Sequence, residues 1–173
     1  QIIFEKRFSQ ILKEEKYDMV FCSLVDDEPD IEFIPIANEE LVVIVSNEHP
    51  GEKKERIDLS EVGKNPFIGF SEKSGIRSLI SDLFKEVDIN PNIICEVEED
   101  NAVAGLVEIN YGIAVVPKIS SLKYYNVKVL PIINPKHERF IYLATLKNRY
   151  LTPSVNLFKK YSIEYGKNNF LNK

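Results

Sequence analysis

The sequence predicts an α/β fold in which two lobes are joined by two crossover strands. Short apolar runs alternate with helical stretches along the chain, the order expected when helices cover a sheet. Two strand-and-helix groups stand apart, one before His49 and one after it. Two strongly β-prone runs, Leu41 to Val45 and Phe140 to Thr145, fall where strands would cross between the groups. The expected division is residues 1–43 with 146–166 for lobe one, 44–145 for lobe two, and a polar, fraying tail over 167–173.

Taken in order, Ile2-Ile3-Phe4 reads as a strand, and a helix follows from Ser9, a plausible cap, to Glu15. Met19-Val20-Phe21-Cys22 is apolar throughout, which suits a strand covered on both faces and closes a βαβ unit. Strands are expected over Ile31 to Ile36 and Leu41 to Val45. A short helix near Ile57 to Gly63 and a strand over Pro66 to Phe70 come next. The clearest helix carries Ile76, Leu79, Ile80, Leu83, Phe84 and Val87 on one stripe of 3.6-residue period, with Ser74 as its cap. A strand from Ile93 to Val97 leads to a helix from Ala102 to Ile109, capped by Asp100 or Asn101. Asn110 ends that helix, because asparagine enters the left-handed region readily. Ile113 to Val116 is a buried strand closed by Pro117, and Val127 to Leu130 and Phe140 to Thr145 are late strands. Thr152-Pro153 starts the last helix, with Val155, Phe158, Tyr161, Ser162 and Tyr165 as its inner face and Gly166 as its end.

Composition removes several functions. The 173 residues carry a formal net charge of −5, with basic side chains dispersed among acidic ones, so this piece is not a surface that neutralises phosphates. No apolar run approaches the ~18 residues of a membrane span, and the start is not a signal peptide. The opening Gln1-Ile2-Ile3-Phe4 is already strand-like, which suggests a piece of a longer protein. Cys22 and Cys95 sit in apolar runs and read as reduced, buried small hydrophobes. His49 and His137 lie in proline-containing loops away from any metal-binding or nucleophilic motif, and no phosphate-loop, dinucleotide or nucleophile-elbow signature occurs. No catalytic residue, cofactor or metal is expected.

Four segments carry a resemblance. Lys16-Tyr17-Asp18-Met19-Val20-Phe21 is similar to the "G-x-L-D-L-A-I" segment of LysR-type transcriptional regulators. Glu39 to Ser46 followed by His49-Pro50 resembles their "L-V-L-V-x-x-x-x-H-P" crossover. Ile57-Asp58-Leu59 before Pro66-Phe67-Ile68 resembles "V-x-L-x-D-L … P-F-I". Leu106-Val107 with Gly112 to Pro117 resembles "L-V-x-x-G-x-G-I-A-L-L-P". Asn110 and Tyr111 depart from that last pattern, which has Gly and a small apolar residue there. The resemblance implies the effector-binding domain of such a regulator: two Rossmann-like lobes of the type 2 periplasmic-binding-protein kind, with a small molecule in the cleft between them. The family's first strand and helix of this domain, its winged helix-turn-helix and its linker helix would precede Gln1. It further implies a cytoplasmic homodimer, tetrameric at full length, with DNA reached only through the missing arm and no membrane contact. An extracytoplasmic solute-binding protein of an uptake system is the alternative.

On this resemblance the ligand-binding candidates are Ser23, Ser71, Ser74, Gly75, Arg77, Asp100, Asn101, Ala102, Val116 and Pro117. Ser71 to Arg77 is a strand end, a polar loop and a helix start, where free N–H groups and the helix dipole favour a carboxylate or another small anion. Ordinary capping explains the same loop. Arg77 fits either a two-pronged hold on a ligand carboxylate or a salt bridge to Asp82 or Glu72. Ser23 follows a strand directly, as a cleft hydroxyl or a plain end-of-strand one. Asp100, Asn101 and Ala102 form a second strand-to-helix turn whose acidity would need Arg77 or Lys118 to offset it. Val116 and Pro117 would close the pocket floor.

Overall fold

The computed structural model describes residues 7–24, 28–72, 74 and 76–171. The chain divides into two compact units, Gln1–Glu39 with Glu138–Lys173, and Glu40–His137. It therefore passes from the first unit to the second after Glu39 and back after His137.

In the first unit, helix α1 (Arg7–Lys13) precedes strands β1 (Val20–Cys22), β2 (Ile31–Asn38) and β9 (Phe140–Leu146), and α4 (Pro153–Gly166) follows. The sheet order is β1-β9-β2, with β9 antiparallel to both neighbours. Phe8 and Leu12 of α1 are fully buried against Val20, Cys22, Ile31 and Ala144, and Phe8 meets Phe33 edge to face at 6.1 Å. Pro35 offers no N–H to a ladder and lies in edge strand β2, where the register shifts between Pro35 and Ala37. Thr152 caps α4 through its hydroxyl, which accepts from the Val155 N–H at 3.5 Å, and Pro153 takes the first turn as expected.

The second unit holds strands β3 (Leu41–Ser46), β4 (Ile57–Asp58), β5 (Pro66–Phe70), β6 (Asn92–Val97), β7 (Ala114–Pro117) and β8 (Val127–Asn134), with helices α2 (Arg77–Glu86) and α3 (Asp100–Glu108). The order β4-β8-β3-β7 is joined to the parallel pair β5-β6 by a parallel bridge between Phe67 and Ile113. Every residue of β3 is buried, as its unbroken apolar run requires of a central strand. The α2 stripe packs Ile76, Ile80, Leu83 and Phe84 into the same core as Val103, Ala104 and Val107 of α3. Asn110 has φ 59°, and the Tyr111 N–H returns to the Leu106 carbonyl, so the left-handed end of α3 is as expected. Gly112 is fixed by a close approach: a Cβ there would stand 2.8 Å from the Pro66 carbonyl oxygen.

Several expectations are corrected. β1 is not covered on both faces, since Phe21 is exposed between buried Val20 and Cys22. Its described partner β9 runs antiparallel to it. The strand expected at Ile2 to Phe4 lies outside the described residues. Ile57-Asp58 is a strand; Asp58 then caps a 3-10 helix over Leu59–Lys64 through a capping box with Glu61. Neither Ser74 nor Asp100 nor Asn101 caps a helix with its side chain. The main-chain carbonyls of Ser74 and Glu99 close those first turns. The inner face of α4 is turned: Phe158, Tyr161 and Tyr165 are exposed. Val155 and Ser162 are partly buried as expected, joined by Lys159 and Ile163, and Gly166 abuts the Ile36 carbonyl. Lys159 sits on that buried stripe because its ammonium pairs with Glu32 at 2.7 Å and donates to Thr145 at 3.0 Å. The segment Lys167–Leu171 forms a π-helical turn rather than a frayed tail. Finally, β9 lies in the first unit and β3 whole in the second, whereas the sequence reading divided the chain at 43/44 and 145/146. Pairing to β1 and β2 decides the place of β9, and a sequence window does not report pairing partners.

Candidate functional site

β5, β6 and β7 run parallel, so their carboxyl ends share one edge of the second unit. The helices that follow β5 and β6 begin near that edge, the arrangement in which open α/β sheets bind ligands. Phe70 pairs with Val97 at the end of the β5–β6 ladder, and the next residue, Ser71, donates its N–H to the Val97 carbonyl at 2.9 Å. The Ser71 carbonyl then accepts the Ser74 N–H at 2.9 Å, and the Ser74 carbonyl accepts the Arg77 N–H at 3.1 Å. This chain of main-chain bonds fixes the loop and leaves the serine hydroxyls outside it. The Ser71 Oγ is buried and has no hydrogen-bond partner among the described residues. An unsatisfied buried hydroxyl costs roughly 1–3 kcal/mol, so such an atom stands out. Gly75 lies outside the described residues.

On the neighbouring turn, Asp100 opens α3 half-buried. Burial, and then the adjacent Glu99, push its carboxyl above the usual aspartate value. Asn101 is exposed and accepts a 3.4 Å hydrogen bond from the Ser121 hydroxyl, and Ala102 is exposed beside it. Val116 and Pro117 are buried at the end of β7, opposite Val42 and Leu41 of β3. Ser23 belongs to the first unit, half-buried just past β1.

The two cations expected to offset this acidity are already engaged. Arg77 pairs with Glu96 at 2.9 Å and donates to the Phe70 carbonyl at 2.6 Å. Its partner is therefore neither Asp82 nor Glu72, and Asp82 pairs with Lys85. Arg77 lines a cavity of about 310 Å³ with Phe67, Phe84 and Ile93, and that lining includes none of the other candidate residues. Lys118 pairs with Glu40 at 2.7 Å. What Arg77 does at this edge is to hold the last carbonyl before Ser71. Sequence reasoning missed Ser121, whose approach to Asn101 has no local signal, and Glu96, which lies on the adjacent strand rather than within a helical turn of Arg77. Cys22 is buried with its thiol pushed up to about 12 by desolvation, while Cys95 is only half-buried.

Comparison with known proteins adds to this geometry. Residues 2–166 match the model of the LysR substrate binding domain. The chain belongs to that family. It is 32% identical over 154 residues to the HTH-type transcriptional regulator YybE of Bacillus subtilis, covering 89% of this chain and 53% of that protein. It is 28% identical over 130 residues to the transcriptional dual regulator GltC of Bacillus subtilis, covering 73% of this chain and 43% of that one. The LysR domain thus spans about half the length of the curated relatives it matches. Among solved structures, the effector binding domain of QuiR in complex with shikimate superposes with a TM-score of 0.88 at 52% identity, over 97% of this chain and 80% of that one. The regulatory domain of CcmR from Synechocystis PCC6803 in complex with 2-PG gives a TM-score of 0.84 over 96% and 81% of the chains, at 21% identity that speaks for the fold alone. The fold is therefore the type 2 periplasmic-binding-protein-like fold of LysR effector domains, and the function is that of a regulatory effector-binding domain rather than of a solute-binding protein for uptake. Among the described residues no helix is long and apolar enough to cross a membrane.

Proposed function

We propose that this LysR domain senses a small hydroxylated ring carboxylate of the shikimate type, held at the carboxyl edge of β5, β6 and β7. Two observations support the reading: the 52% identity to a domain in complex with shikimate, and the buried Ser71 hydroxyl at that edge, which has no partner among the described residues. Ser71, Ser74 and Gly75, with the main chain opening α2, receive the carboxylate, where the helix dipole favours negative charge. Asp100 and Asn101 take ring hydroxyls, and Ala102, Val116 and Pro117 shape the wall. Arg77 buttresses Phe70 rather than touching ligand. On the first unit, Ser23 is the candidate ligand-contacting hydroxyl.

The domain binds its effector without transforming it and uses no cofactor. In the full-length cytoplasmic regulator it works as a homodimer within a tetramer, and DNA is reached only through an N-terminal winged helix-turn-helix. Effector occupancy shifts DNA binding by its differential affinity for the two states of the regulator, and by no more than that. Calorimetric titration of the full-length protein with shikimate tests the ligand class. Saturable one-site binding, with a ring lacking the carboxylate failing to compete, is the expected result. Heatless titration with shikimate and with other hydroxylated ring carboxylates overturns it.

A further inference from the structure

The two chain passages between the units are paired by an antiparallel ladder that ends in an unusual bond. Asn38 of β2 stands opposite Phe140 of β9, and the Glu39 N–H donates to the Arg139 carbonyl at 2.7 Å. Continuing that register by two residues on each strand puts Leu41 opposite His137, where an antiparallel ladder has the carbonyl of one accept the N–H of the other. The Leu41 N–H goes instead to the His137 ring, 3.2 Å from Nε2. A nitrogen that accepts carries no proton, so the neutral ring bears its hydrogen on Nδ1, which lies 3.4 Å from the Pro135 carbonyl oxygen. The charged groups around this end of the ladder are matched among themselves. Glu39 pairs with Arg139, and Glu40 pairs with Lys118 at 2.7 Å, leaving Lys136 and Glu138 as the ring's flanking charges in sequence.

We propose that His137 is a positioning residue: its neutral imidazole replaces a main-chain carbonyl in the pairing of the two passages and gives up that hold when the ring gains a proton. An imidazolium has two N–H donors and no acceptor, so it cannot keep the Leu41 N–H. The neighbouring bond does not share this dependence, because the Glu39 N–H ends on a main-chain oxygen. The passages are the covalent links between the units, so this bond makes their pairing sensitive to pH. The inference does not depend on which effector binds.

Two NMR measurements on the chain test it. Long-range proton–nitrogen correlation is expected to find the neutral His137 ring protonated at Nδ1. Amide hydrogen exchange, corrected for intrinsic rates, is expected to show Leu41 losing protection by about five- to tenfold as the ring titrates, while Glu39 keeps its own. His137→Ala removes the protection of Leu41 at every pH. His137→Gln, whose side-chain oxygen accepts without titrating, restores it and flattens the pH profile. A neutral ring protonated at Nε2, or Leu41 protection that is the same in His137→Ala as in the natural chain, overturns the proposal.

Discussion

The two units of this LysR domain bury their sheets in different ways. In the second, β3 is covered on both faces and Leu41 to Val45 are at most 1% exposed, so the core is continuous from Leu59 and Val62 across to Val107. In the first, the described sheet has three strands, its core is built on Phe8 and Leu12, and α4 turns Phe158, Tyr161 and Tyr165 outward. The difference teaches that apolar character in the sequence has two meanings here. In the second unit it reports packing inside the unit. Along α4 the aromatic residues report a surface, while the packed stripe mixes Val155 and Ile163 with a lysine stem, a serine and a glycine.

Truncating a buried leucine in the second unit breaks most. Leu130→Ala is expected to cost about 2–5 kcal/mol, because the rigid walls around a fully buried side chain cannot close the void. Phe158→Ala, which removes the larger but half-exposed side chain in the first unit, should stay within about 0.5 kcal/mol, the range of surface substitutions. Denaturant unfolding of the two variants checks the contrast, and equal losses would erase the distinction between the units. Gly166→Ala comes next, at about 1–3 kcal/mol, since a Cβ would press on the Ile36 carbonyl and only a shift of α4 relieves it. Its melting temperature should fall while that of Tyr165→Ala does not.

Smaller effects separate the units by pH. In the first, the Lys159 ammonium hydrogen-bonded to Glu32 holds that carboxyl below its ordinary value of 4.5. Its stability is therefore present above 4.5 and lost as pH falls through the lower folded value. In the second, Asp100 is shifted upward from 3.8, so its relative stability is present below 3.8 and lost as pH rises through the raised folded value. Glu32→Gln should flatten the acid limb of a melting-temperature profile, and Asp100→Asn should raise stability at neutral pH and leave it unchanged in strong acid. A profile in which both variants move the same limb would contradict these assignments.

Much of this was legible in the sequence where one local signal sufficed. The β3 run, the α2 stripe, the left-handed Asn110 and the Thr152–Pro153 start of α4 all depend on neighbours within a few positions. What was not legible depends on partners far along the chain. Lys159 packs inward because of Glu32, and Arg77 turns to Glu96 on the next strand but one helix away. Helix caps failed for a different reason: at Ser74 and Glu99 a main-chain carbonyl does what the side chain was expected to do. The site itself was visible only as a strand end and a helix start. Burial of the Ser71 hydroxyl, which singles it out, is a property of the folded edge.

The most direct test of the effector site is Ser71→Ala, measured twice on the same protein, for stability without ligand and for shikimate affinity. Removing a buried hydroxyl that lacks a partner among the described residues should leave the unliganded domain as stable or more so, while the hydrogen bond lost to ligand weakens binding by roughly 2- to 12-fold. Unchanged affinity in a folded Ser71→Ala domain would contradict the placement of the effector at this edge.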